Sequence, residues 1–118
     1  MHRYKNLKVW NESRELVKLV YQSLNQFPKE ELFGLTSQIK RSVISISSNI
    51  AEGCGRRTDK DLANFLDIAS GSVREIESQL FMANEIGYLS NEELENLEKG
   101  LLELGRLISG FRNYILKE

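Results

Sequence analysis

Apolar residues recur at helical spacing in four stretches of this chain. Trp10, Ser13, Val17, Val20, Leu24 and Phe27 follow a 3-4-3-4-3 rhythm, with Ser13 in an apolar slot. Ile39, Val43, Ile46 and Ile50 repeat at 4-3-4. Leu62, Leu66, Ala69, Val73, Ile76 and Leu80 mark a third face, and Leu94, Leu97, Leu101, Leu104, Ile108, Phe111 and Ile115 a fourth. No strand-like alternation competes. The punctuation agrees: Asn6 is placed to cap the first helix, Phe27-Pro28 to end it, Thr58 to cap the third and Gly87 to stop it. Ser90 with Glu93 forms a capping box for the fourth. These signals predict helices over about 7–27, 36–53, 59–87 and 91–117 in a single domain spanning 1–118. Short connections between four helices predict an all-α, antiparallel up-down-up-down four-helix bundle. Gly71, Gly100, Gly105 and Gly110 fall inside helices, where close helix approach is the expected reason; Gly100 and Gly105, on so apolar a helix, also fit a subunit contact.

The polar positions of the second stretch carry a separate message. Gln38, Arg41, Ser45, Asn49 and Glu52 run at nearly the same period as the apolar face, offset by about 120°. An ordinary solvent face uses long, interchangeable charges; this file uses short or bidentate hydrogen-bonding groups. The third helix has a matching file, Ser72, Glu75 and Gln79. Partners across an antiparallel hairpin have a constant index sum. Gln38 with Gln79, Arg41 with Glu75, and Ser45 with Ser72 give 117, 116 and 117. The expected result is a ladder of amide, ion-pair and hydroxyl rungs that fixes register inside the bundle or between subunits, in preference to a ligand groove. Glu52 is expected to reach the start of the third helix or to pair with Arg56 or Arg57.

Composition permits one packed core: 118 residues, 41% hydrophobic and 28% charged. No apolar run is long enough to span a membrane, the start lacks an apolar signal-peptide core, and Cys54 is the only cysteine; a cytoplasmic location is expected. Net charge is −1, but residues 1–57 hold ten Lys/Arg against five acids, +5, and residues 58–118 hold six against twelve, −6. That asymmetry fits either a basic surface for an anionic partner or subunits of opposite charge packing together. Lys40, Arg56, Arg57 and Lys60 are the candidate nucleic-acid contacts; no aromatic interleaves with them in the sequence, so base stacking is not indicated.

Catalytic readings find little to use. His2 is the only histidine, so di-iron Glu-x-x-His pairs and an Arg-x-x-x-x-His ribonuclease motif are both lacking. In the ladder register Glu52 and Glu75 are separated by ~16 Å, too far for paired acid–base work. No phosphate-binding loop or zinc-ligand cluster occurs in the sequence, and no cofactor is expected. Cys54 is read as a turn residue, although nearby arginines would lower its pKa if it were exposed to them.

Leu7, Val9-Trp10, Phe27-Pro28, Gln38, Arg41, Ser45, Asn49-Ile50-Ala51-Glu52-Gly53, Ala69, Gly71-Ser72, Glu75 and Gly87-Tyr88-Leu89 together resemble the four-helix-bundle family named after the intervening sequences of bacterial 23S ribosomal RNA genes. The Asn-Ile-Ala-Glu-Gly block with the downstream Ala-x-Gly-Ser-x-x-Glu is the specific part. That family is similar in fold to the accessory protein of diversity-generating retroelements, a pentamer with a basic outer surface that binds a reverse transcriptase and nucleic acid. The resemblance implies a non-catalytic homo-oligomer, pentameric, with RNA, DNA or a nucleic-acid enzyme as candidate partner. The alternative expectation is a protein-interaction scaffold that binds no nucleic acid.

Overall fold

The computed structural model describes residues 2–117. Four helices make up the fold: α1 (Lys8–Leu24), α2 (Leu35–Cys54), α3 (Asp59–Ile86) and α4 (Asn91–Ile115). Short 3-10 turns at Tyr4–Asn6 and Lys29–Glu31 precede α1 and α2. Each helix packs on its sequence neighbour, and α4 returns to α1. Contacts along α2–α3 and along α3–α4 run in opposite chain directions. Ser45 meets Ser72 while Gly53 abuts Leu62 and Phe65; Asp67 holds Arg112 while Asn84 bonds Asn91.

All the apolar positions assigned above to α2 and α3, and Leu94 through Ile108 on α4, lie in the core, with Ile39, Ile46, Ile50, Leu66, Ile76, Leu80, Leu101 and Ile108 fully enclosed. Ser13 earns its place in an apolar slot by donating to the Trp10 carbonyl at 2.6 Å, so its hydroxyl is not left bare. Trp10 and Val17 are packed against this core from its edge.

The helix ends follow their local chemistry. Thr58 Oγ1 accepts the Asp61 N–H, and Asp59 and Asp61 occupy the first turn, where the helix dipole favours anions. Ser90 and Glu93 form both halves of the capping box. Gly87 has φ +100°, a conformation that side-chain-bearing residues rarely adopt, and its N–H closes on the Ala83 and Asn84 carbonyls. Two expected boundaries move. Asn6 lies in the 3-10 turn and Leu7 takes the cap position, while Asn11 ties this entry down by donating to the Lys5 and Leu7 carbonyls. Helix α1 stops at Leu24, three residues before Phe27, whose ring packs on Tyr88 at 5.5 Å.

The glycines divide in an unexpected way. Gly53 lies within α2: a Cβ there would sit 2.7 Å from Leu62 Cδ1 and 2.8 Å from Phe65 Cβ, so α2 and α3 touch through its bare backbone. A Cβ at Gly100 would sit 3.2 Å from Leu16 Cδ1. Around Gly71, Gly105 and Gly110 nothing lies within 4 Å, so close approach within the chain does not explain them.

Candidate functional site

The polar file of α2 faces α3, as its spacing requires, but only one rung closes. Ser45 and Ser72 share a hydrogen bond of 2.9 Å, and Asn49 Nδ2 donates back to the Ser45 carbonyl and hydroxyl at 2.8 and 3.0 Å. The expected Arg41–Glu75 rung is a correction: both side chains are exposed and no ion pair joins them. Helical geometry supplies the reason. Stepping from Ser45 to Arg41 turns about 40° and from Ser72 to Glu75 about 60° around their axes, which carries both side chains outward past the contact line. Gln38 and Gln79 make no rung either; Gln79 Oε1 is shielded from water and has no hydrogen-bond partner. Glu52 pairs with Arg56 at 3.4 Å, on the exposed surface.

What remains is an open groove of about 710 Å³, walled by Gln38, Arg41, Ile44, Ser45, Glu75 and Gln79. It has an apolar margin that the core rhythm hid. On α3, Ile68, Ser72, Glu75, Gln79, Met82 and Ile86 form a second 4-3-4-3-4 stripe beside the groove, and its apolar members are about half exposed. The outer positions of α2, Ile44, Ser48 and Ala51, carry no charge, and no charged residue occurs between Arg41 and Glu52. Near the start of α2, Phe33 is 93% exposed.

The cations gather elsewhere. Cutting the bundle at the Ser45–Ser72 level separates two ends. The end holding residues 2–16, 45–72 and 104–117 has ten Lys/Arg against six acids, +4; the end holding 17–44 and 73–103 has six against ten, −4. Charge is therefore segregated along the long axis of the molecule, because the up-down connections interleave the two halves of the sequence. Arg56, Arg57 and Lys60 come together at the cationic end, where Arg3 and Lys5 join them. Lys40 does not: it lies ~20 Å back along α2, with its ammonium 5.1 Å from the centre of the Tyr21 ring. Sequence reasoning missed Arg3 and Lys5 because a long-range contact delivers them. The His2 N–H donates to the Cys54 carbonyl at 3.1 Å and folds the 2–6 segment over the end of α2.

This fold also sets aromatics among the cations, contrary to the sequence expectation. The Arg56 guanidinium lies 4.6 Å from the Phe65 ring centre. His2, Arg3, Tyr4 and Lys5, together with Ala51, Cys54 and Gly55, line an open cavity of about 570 Å³. Tyr4 is braced edge-on against Trp10 at 4.9 Å and His2 against Phe111 at 5.5 Å. Cys54 itself is buried, and burial pushes its thiol above the ordinary value, opposite to the lowering that nearby arginines would produce. Among the described residues no cluster of three His, Cys, Asp or Glu side chains has metal-binding geometry, and no helix is long and apolar enough to cross a membrane.

These features define a four-helix bundle with an open polar groove on one flank and a cationic, aromatic-bearing end. The chain belongs to the 23S rRNA-intervening sequence protein family, whose profile matches residues 5–110. Among solved structures it is similar to a protein of unknown function from the S23 ribosomal protein family of Bacteroides thetaiotaomicron. That similarity has a TM-score of 0.80 and 26% identity, covering 89% of this chain and 95% of the other. No curated protein matches it.

Proposed function

We propose that this chain is a non-catalytic homo-oligomeric bundle, pentameric as the family resemblance implies, that associates with nucleic acid through its cationic end. The observation that carries the oligomer is the flank around the α2–α3 groove. A long helix facing water normally spreads charge over its outer surface. Helix α2 instead presents Ile44 and Ser48, with half-exposed Ile68, Met82 and Ile86 on the α3 stripe beside the groove. A second copy covering this flank would bury that apolar margin and provide partners for Arg41 and Glu75, which have none among the described residues. The nucleic-acid half of the proposal is supported by the segregation of +4 to one end.

Light scattering on the full chain tests assembly: a pentamer mass is expected, and the paired substitution Ile44→Glu with Ile68→Glu should reduce it. A wild-type monomer would remove the oligomer. Retention on immobilised RNA or DNA tests the second half: salt-sensitive binding is expected, lost in Arg56→Glu with Arg57→Glu. An intact oligomer that retains no nucleic acid at ~0.15 M salt would instead favour a protein-interaction scaffold, for which the −4 end supplies a surface for basic partners.

A further inference from the structure

Resting on the nucleic-acid half of that reading, we propose that the cationic end selects single strands over duplexes, taking one unstacked base into the cavity beneath the 2–6 segment. Three observations converge there. The first is an excess of positive charge: Arg3, Lys5, Arg56, Arg57 and Lys60 occupy the end, against Glu52, Asp59 and Asp61 nearby. Of these acids, Glu52 is already paired with Arg56, and Asp59 and Asp61 sit in the first turn of α3, where they offset its dipole.

The second observation is the cavity. At about 570 Å³ it falls within the roughly 300–1,000 Å³ of small-molecule sites, large enough for a flat heterocycle. Its wall carries Tyr4 and His2, each held by an aromatic neighbour, so the rings are braced before any ligand arrives. The third is position. Arg3 and Lys5 line the same cavity, so a base inside it leaves its own phosphates beside them. The strand then continues toward Arg56 and Arg57 just past Gly55.

Cations alone would favour a duplex, which has the higher charge density. A cavity with braced rings reverses that preference, because only an unpaired base can leave its stack cheaply enough to enter.

Fluorescence anisotropy on the full chain decides the matter, using a labelled 12-nucleotide single-stranded RNA, the same sequence as a 12-base-pair duplex, and a 12-unit abasic backbone. The base-bearing single strand should bind about tenfold more tightly than either of the others, as one stacked base implies. Tyr4→Ala should remove that advantage and leave duplex affinity unchanged. Arg3→Glu with Lys5→Glu should weaken all three probes, whereas Lys29→Glu with Lys99→Glu, at the opposite end, should not. Equal binding of the abasic and base-bearing strands would overturn the base-in-cavity inference while leaving nucleic-acid association standing. Tight duplex binding without single-strand preference would do the same. Failure of every probe to bind would sink both. The abasic comparison uses the wild-type chain, so it decides even if Tyr4→Ala folds poorly.

Discussion

Replacing Gly53 with alanine isolates the tightest contact in the bundle. The added methyl would arrive 2.7 Å from Leu62 Cδ1 and 2.8 Å from Phe65 Cβ. Carbon atoms pack at about 3.5–4.0 Å, so the neighbours must retreat by about 1 Å. The Leu62 methyl can swing aside; Phe65 Cβ is fixed to the α3 backbone, so relieving that clash requires the helices to part. Overpacking of this kind costs about 1–3 kcal/mol, set against up to ~1 kcal/mol gained by replacing glycine inside a helix. With that gain taken in full, the expected balance is a net loss of up to about 2 kcal/mol. Gly71→Ala is the matched control: it is also helical, with nothing within 4 Å, so it should gain up to ~1 kcal/mol. Urea unfolding followed by circular dichroism, at two protein concentrations to expose any contribution from assembly, measures both. If Gly53→Ala proves as stable as Gly71→Ala, the helices are not in contact through that glycine and the argument fails.

The hydroxyl rung predicts that Ser45→Ala and Ser72→Ala are non-additive, with a coupling of about 0.5–1.5 kcal/mol in a double-mutant cycle; additive effects would show the bond contributes nothing. Arg41→Ala should leave the unfolding midpoint of the subunit within about 0.5 kcal/mol of wild type, since its side chain is exposed and unpaired, while weakening assembly; a large subunit loss would revive an internal ion pair. Hydrogen bonds from Gln26 and Ser90 lower the Glu93 carboxyl below its ordinary range. A depressed carboxyl adds stability that is present above its unfolded pKa and fades as pH falls through the folded one. The gap in melting temperature between wild type and Glu93→Gln should therefore shrink from pH ~7 to pH ~3; a constant gap would show that the carboxylate charge is irrelevant.

The sequence carried what is local and periodic. The core faces, the Thr58 and Ser90 caps and the Gly87 stop were all legible, because each depends on residues within one or two turns. Even the Ser45–Ser72 contact followed from an index sum, since antiparallel helices joined by a short turn have little freedom of register. The same sum misjudged Arg41 and Glu75, because it fixes height along the axis and says nothing of the angle around it. The cationic end was illegible for a different reason. Dividing charge between the halves of the sequence suggested a basic surface or oppositely charged packing partners, whereas each half of the chain runs to both ends of the bundle, and the charge separates along the axis. Tyr4 and Lys5 are held near the turn after α2 by contacts such as the His2–Cys54 bond and the Tyr4–Trp10 packing, which no pattern in the sequence announces.

The neutrality of the Ser45–Ser72 rung has a consequence of its own. Neither hydroxyl gains or loses a proton anywhere in the range where proteins stay folded, and either one can serve as donor. A carboxylate–guanidinium clasp in the same place would slacken in acid and in brine. With a pair of alcohols at its centre, the hairpin keeps its alignment across conditions that alter the charge of its ends, so a change of acidity or ionic strength can retune what the bundle attracts without sliding one helix past the other.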